Sequence, residues 1–503
     1  MKLQELNKKI EEVRELIKNR FLDKALDMMN IIIKDKENAE NKMVVLEMGQ
    51  VFLASENFSK AKIWFQKALN MDKDDIYAIK AMLRIACGLE DYETLAIYIK
   101  KIISAKDKVQ DENVLNYLIH FLFTKLFAYK QIDDLSNISK IVRMLNTCQD
   151  YIKDVKMKNI IVNELEILSK KTILKSAPRI LIISLTSKCN IKCKMCKVPL
   201  NHWEFPQDKI RDIYSLFPTL QKVVWHGGEP FFYPWIDDLI KEASKYNVEQ
   251  VVSTNGLLLN EDRIKKIINA KMELNISIHG LTKDIYETIH RGGKFEILLK
   301  NLNIIKDIRS QSQENMKYGL KFLVMRTNYK QLKDLCDFAL KYGFNHVHVN
   351  TLGNDTLDEE NFIYHYENIN IIKDVLKQSE IVAKKFRETE IMYDAWLPSI
   401  GKTQNKAEKQ QCEKERREQR EQEICCYMPW QSLVINIDGI VQNNCNCGQL
   451  QIGNINKDSI NDIWNGNEII KIRENMIKLG FDDRCVEDCK NGRISRLYLR
   501  NPV

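Results

Sequence analysis

Three cysteines, Cys189, Cys193 and Cys196, fall within eight residues of LTSKCNIKCKMCKVP, just after the apolar, β-rich run Ile180-Leu181-Ile182-Ile183-Ser184-Leu185. A CxxxCxxC placed where a strand opens into a loop brings three thiolates to one side, one fewer than a closed four-cysteine cluster needs. The fourth position is left open. A structural zinc site prefers CxxC pairs and four ligands, and inert buried cysteines have no reason to gather at a strand end. The triplet therefore points to an iron–sulfur site with one coordination position free.

The residues that follow repeat one arrangement. An apolar strand, Val223-Val224-Trp225, runs into His226-Gly227-Gly228-Glu229-Pro230. Two glycines let a backbone approach a ligand closely, and the adjacent acid accepts bonds from an ammonium group. A strand at 248–252 ends in Ser253-Thr254-Asn255-Gly256, and one at 273–278 ends in Ser277-Ile278-His279-Gly280. Each is followed by a helical stretch, so small and polar residues collect at strand C-termini, where parallel α/β folds bind ligands. His226 reads either as a pocket wall or as a cap on its strand. Trp203, Trp225 and Trp396 read as core or wall residues.

In this order, with Tyr286-Glu287-Thr288-Ile289-His290-Arg291-Gly292-Gly293 behind them, the motifs resemble the radical SAM superfamily over about residues 175 to 400. The resemblance implies an α/β partial (β/α)6 TIM-like barrel, and further strands at 320–325 and 346–350 complete six. It implies a [4Fe-4S] cluster on Cys189, Cys193 and Cys196, with the amino and carboxylate groups of S-adenosylmethionine on the open iron. Gly227, Gly228, Glu229 and Pro230 would receive the methionine amino group, and Ser253, Asn255 and Ser277 match ribose and carboxylate contacts. The family's usual aromatic residue before the third cysteine is Met195 here, whose soft thioether can still pack on adenine. Reductive cleavage of a sulfonium C–S bond to a 5′-deoxyadenosyl radical needs no Ser/His/Asp triad, and none is legible.

A second cysteine group closes the chain: Cys425-Cys426-Tyr427-Met428-Pro429-Trp430, Cys445, Cys447, Cys485 and Cys489. With Asp438-Gly439 reading as a hairpin turn between apolar strands, it resembles the SPASM or twitch extension of radical SAM enzymes, a small cysteine-rich α+β domain. That resemblance implies an auxiliary [4Fe-4S] cluster on Cys426, Cys445, Cys485 and Cys489. Cys447 is an alternative to Cys445 because Asn443-Asn444 shift the thiol by one position from the family pattern, and a zinc knuckle is the alternative metal site. The tight internal spacings of a two-cluster extension are missing, so one auxiliary cluster is expected. Cys412, Cys425 and Cys447 are left as bystanders.

Residues 1–172 have apolar residues at helical spacing and a period near 34. Asn57-Phe58 recurs as Asp91-Tyr92 and Phe65 as Ile99, a pattern that fits tetratricopeptide-like repeats in an all-α domain, while 112–170 are too diverged to align. The chain is read as a helical repeat domain at 1–172, a barrel at 173–400, a charged linker at 401–424 and the auxiliary domain at 425–503. Lys402 to Glu423 carries mixed charge and is assigned no chemistry. A net charge of +8 over 503 residues, with both signs interspersed, excludes a nucleic-acid footprint. MKLQELNKKIEEVRELIKNR has no apolar signal core and no run of about eighteen apolar residues occurs, so a cytoplasmic, oxygen-sensitive protein without membrane contact is expected.

The reading is a radical SAM enzyme acting on a peptide or protein that the repeats hold, supplied with electrons by a donor such as flavodoxin or ferredoxin. The alternative within enzymes is a dehydrogenase, epimerase or dehydratase of a sugar or amino acid. The alternative of another class is a non-catalytic repeat module with vestigial clusters, against which the intact triplet and GGEP argue.

Overall fold

The computed structural model describes residues 3–104, 112–131, 134–198, 202–311, 316–352, 360–361, 369–395, 426–443, 450–479, 482 and 484–485. Trp396, the charged run, Cys412, Cys425, Cys445, Cys447 and Cys489 lie outside the described residues. Two compact units divide the chain, one through Leu168 and one from Ser169.

The first unit is helical: α1 (Leu3–Lys18), α2 (Leu22–Ile32), α3 (Lys36–Ala39), α4 (Lys42–Ala54), α5 (Phe58–Met71), α6 (Ile76–Gly88), α7 (Tyr92–Ser104), α8 (Glu112–Gln131), α9 (Leu135–Thr147) and α10 (Val155–Leu168). The 34-residue period is physical. Helices α4 and α6 start 34 residues apart, as do α5 and α7. Their caps recur with them, because Asn41, Asn57, Asp75 and Asp91 each accept a backbone N–H of the first turn that has no partner inside its helix. Phe65 and Ile99 occupy equivalent buried positions. The period fades after α7 because α8 is 20 residues long where α4 and α6 are 13, yet Leu118, Leu122, Ile141 and Leu145 continue the same core.

The second unit is built on one sheet with strands β1 (Ile180–Ser184), β3 (Lys222–His226), β4 (Glu249–Thr254), β5 (Glu273–Ser277), β7 (Tyr318–Val324) and β8 (His346–Thr351) parallel and adjacent in chain order. Two-residue strands β2 (Lys192–Cys193) and β6 (His290–Arg291) pair apart from it. Helices α11 (Ile210–Leu216), α12 (Ile236–Lys245), α13 (Glu261–Asn269), α14 (Lys283–Ile289), α15 (Phe295–Gln311) and α16 (Leu335–Tyr342) join the strands, and α17 (Ile369–Arg387) leads to β9 (Met392–Ala395). The crossovers follow from the near-continuous apolar strands, which need cover on both faces. The six expected strands are present, and the sheet is longer than that at both edges: β9 adds parallel to β8, and β10 (Ser432–Ile435) adds parallel to β1. Strands β11 (Ile440–Gln442) and β12 (Gln451–Asn454) continue antiparallel from β10 through the Asp438-Gly439 hairpin.

The C-terminal region is held to the start of this unit by polar side chains aimed at backbone. Trp430 Nε1–H donates to the Lys171 carbonyl at 2.7 Å, Trp464 Nε1–H to that of Ser176 at 2.7 Å, and Asn465 exchanges two 2.9 Å bonds with Leu174. Arg473, fully buried, donates to the carbonyls of Pro429 (2.9 Å), Thr172 (2.8 Å) and Trp464 (3.0 Å) and lies over the Trp464 ring at 4.7 Å. Among the described residues no helix is long and apolar enough to cross a membrane.

Candidate active site

The cysteine loop leaves β1 and is clipped at two places. At the first, Leu185 N–H donates to the His226 carbonyl (2.9 Å), Gly228 N–H to that of Thr186 (2.7 Å) and Glu229 N–H to that of Lys188 (2.8 Å), so the loop runs against the GGEP turn as an extension of the sheet. This approach requires glycine. Gly227 sits at φ +133°, where a Cβ would come within 2.5 Å of the Thr186 carbonyl oxygen, and a Cβ on Gly228 would lie 2.4 Å from that of Lys188. At the second, β2 and β6 form an antiparallel ladder that sets Cys193 opposite His290, with Lys194 N–H donating to the Ile289 carbonyl at 2.8 Å.

A cavity of about 260 Å³ opens between these clips and the strand ends. Cys189, Cys193, Cys196 and Met195 line it together with Gly227, Gly228, Ser253, Asn255 and Ser277. Three larger cavities lie in the helical unit, but this one collects the thiols. Glu229 and Pro230 are buried and do not line it. The Glu229 carboxylate accepts from Thr254 Oγ1–H (2.7 Å) and from the N–H groups of Asn255 (2.9 Å) and Phe231 (3.4 Å), tying the end of β3 to that of β4. Burial raises its pKa while these bonds oppose the rise. The turn thus offers Gly227 and Gly228 to the cavity, with Glu229 as the brace behind them.

Asn255 donates its amide to Asn190 Oδ1 (2.7 Å) and towards Cys189 Sγ (3.8 Å). Ser253 Oγ accepts from Lys321 Nζ at 2.8 Å. His226 performs both roles open in the sequence: it lines the cavity, and its Nδ1 accepts Gly227 N–H at 2.8 Å, capping its own strand. The surrounding chain and the Lys321 charge push its imidazole below the ordinary value, although the side chain stays exposed to solvent at the cavity mouth. Trp225 is core, and its indole N–H reaches Gln250 at 3.0 Å.

Burial pushes the Cys193 thiol up to about 12 and raises Cys189, so these thiols ionise readily only against a cationic centre. Among the described residues no three His, Cys, Asp or Glu side chains are grouped closely enough for a single metal ion. The three cysteines instead line one cavity, and an all-thiolate soft donor set suits iron–sulfur chemistry. The residues fit a three-cysteine cluster with S-adenosylmethionine beside it. In the auxiliary region Cys426 is partly buried and Cys485 is 7% exposed, its N–H donating to the Asp482 carbonyl at 2.8 Å.

Sequence reasoning missed Lys321 and the contacts of His279 and His290. His290 was legible only as a letter in the IHRGG run, since a two-residue ladder leaves no periodic trace.

The radical SAM superfamily model matches residues 183–313, and that of the SPASM iron–sulfur cluster-binding domain matches 425–491. The tungsten-containing aldehyde ferredoxin oxidoreductase cofactor-modifying protein of Pyrococcus furiosus is 27% identical over 187 residues, 34% of this chain and 51% of that protein. A GTP 3′,8-cyclase of Clostridium botulinum is 25% identical over 176 residues, 32% of this chain and 52% of that one. The chain spans about half the length of the curated relatives it matches. The solved structure of Streptococcus suis SuiB bound to S-adenosylmethionine aligns with a TM-score of 0.48 at 15% identity, over 70% of this chain and 82% of that chain. The order of motifs along the strand ends and the two matches agree: residues 183–313 carry a radical SAM superfamily domain and residues 425–491 a SPASM iron–sulfur cluster-binding domain.

Proposed function

We propose that this enzyme modifies a peptide or protein, which the helical unit holds while the barrel carries out the reaction. The observation that carries the reading is a groove in the helical unit. Two cavities of about 760 and 610 Å³ adjoin through Gln50 and Tyr77, and their walls come from α1, α4, α6 and α8, the first helix of each successive pair. Apolar Ile17, Leu46 and Leu53 alternate there with Lys42, Lys80 and Arg84, and Tyr77 and Tyr117 stand 47% and 56% exposed. A groove that runs along successive repeats suits an extended chain.

In this proposal Cys189, Cys193 and Cys196 hold the barrel cluster, Ser253, Asn255 and Ser277 position S-adenosylmethionine, Met195 packs on its adenine, and the Glu229 brace keeps Gly227 and Gly228 against its amino group. Cys426, Cys485 and Cys489, with Cys445 or Cys447, hold one auxiliary cluster. Bound together, the cluster and S-adenosylmethionine supply a 5′-deoxyadenosyl radical able to take hydrogen from an unactivated carbon. The barrel's part is to orient the substrate and exclude water. Electrons come from a flavodoxin or ferredoxin.

The names of the two curated relatives favour a second reading, a cofactor or nucleotide substrate. The two separate in the Tyr77→Ala, Tyr117→Ala double variant. Both side chains are substantially exposed, so the fold should tolerate the change. With a peptide substrate encoded beside the gene, KM should rise about tenfold with kcat retained, the signature of lost remote binding. Turnover of the peptide with an unchanged KM would retire the helical groove as its binding site, and a protein that turns over no peptide would favour the small molecule.

A further inference from the structure

The contacts on the two edges of the His290 ring assign its tautomer. His290 Nδ1 lies 3.2 Å from Cys193 Sγ, and on the opposite edge of the ring Nε2 accepts the backbone N–H of His279 at 3.1 Å. A nitrogen that accepts an N–H carries no proton of its own, so the ring's one proton sits on Nδ1 and points at the sulfur. The ring cannot easily turn away. His290 is 1% exposed and stacked between His279, at 5.0 Å between centroids, and Tyr286, at 4.5 Å. His279 is itself anchored, its Nδ1 accepting Leu323 N–H at 3.1 Å, and the β2–β6 ladder sets the register of the two partners.

We propose that His290 is a redox-positioning residue whose Nδ1–H donates to the Cys193 thiolate and raises the reduction potential of the barrel cluster. The inference rests on the proposed assignment of Cys193 as a cluster ligand. Hydrogen bonds to cluster sulfurs are one of the levers on potential, because a donor offsets the negative charge that reduction adds, and outer partners of this kind tune metal sites generally. The same bond aims the Cys193 sulfur before the cluster is present.

Two amides divide the ring's functions. His290→Gln carries an oxygen to the place where Nε2 accepts the His279 N–H and leaves no donor at the Nδ1 position. His290→Asn carries an amide nitrogen to the Nδ1 position and leaves the His279 N–H unmet. The experiment is a potentiometric titration, followed by electron paramagnetic resonance, of the reconstituted full-length protein and both variants without S-adenosylmethionine. The barrel cluster is identified as the signal whose g values change when S-adenosylmethionine is added afterwards. His290→Gln should lower the equilibrium constant for one-electron reduction about tenfold, a shift of about 59 mV to more negative potential, while His290→Asn should stay near the wild type. A wild-type potential in His290→Gln, an equal shift in both variants, or a His290→Gln protein that holds no barrel cluster would each overturn the proposal. A wild-type protein with iron but no signal sensitive to S-adenosylmethionine would instead retire the cluster assignment itself.

Discussion

Replacing Cys189, Cys193 and Cys196 together with alanine should remove about four of the roughly eight irons that two cubane clusters bring to the anaerobically reconstituted protein, and 5′-deoxyadenosine formation should fall to background. The expectation follows from where the three residues stand. All three line one cavity with Gly227, Gly228 and Ser253, while Cys426 and Cys485 do not line it. Each cluster then has its own ligands, and emptying one should leave the other loaded. The fold should survive, because the loop keeps its backbone bonds to the GGEP turn and to Ile289, none of which involves a thiol. Iron analysis and chromatography of the nucleoside check both halves. Full iron content with unchanged nucleoside would remove the cluster from this site.

Arg473→Ala should be the most damaging single change outside the active site. The guanidinium is fully buried and donates to three carbonyls, at Thr172, Pro429 and Trp464, which join the entry of the second unit to the beginning and the middle of its C-terminal region. Truncation leaves the buried Pro429 and Trp464 carbonyls and the half-buried one of Thr172 without these donors, at about 1–3 kcal/mol for each buried acceptor, so the loss should be at least about 2 kcal/mol. Arg473→Lys should recover little of it, since one ammonium group cannot span the three directions a planar guanidinium covers. The urea midpoint of the wild type and both variants measures this, and an unchanged midpoint in Arg473→Ala would show that the contacts are dispensable.

Both the barrel and its site were largely legible, for a chemical reason. The strands are apolar runs that stop at small or polar residues, and ligand groups gather at such stops, so strands expected at 180–185, 223–225, 248–252 and 273–278 could be read, and they fold at 180–184, 222–226, 249–254 and 273–277. Caps and buried positions made the 34-residue period visible through α7, and it disappeared where α8 lengthened. What could not be read depends on contacts distant in sequence. The carboxylate of Glu229 looks from the sequence like a ligand group, but folding turns it onto Thr254 and Asn255, 25 and 26 residues away. Pairing of β10 with β1 joins residues 432 and 180. The His290–Cys193 contact spans 97 residues and rests on a ladder two residues long. None of these leaves a local pattern.

The most direct measurement of the central claim is the product balance of the wild-type protein itself. The full-length chain, reconstituted with iron and sulfide without oxygen, is given S-adenosylmethionine and dithionite, and methionine and 5′-deoxyadenosine are quantified together. Equal amounts of the two, dependent on dithionite and absent from the Cys189, Cys193, Cys196 triple variant, are the predicted result. A protein that carries the full complement of iron and binds S-adenosylmethionine but yields neither product would contradict it.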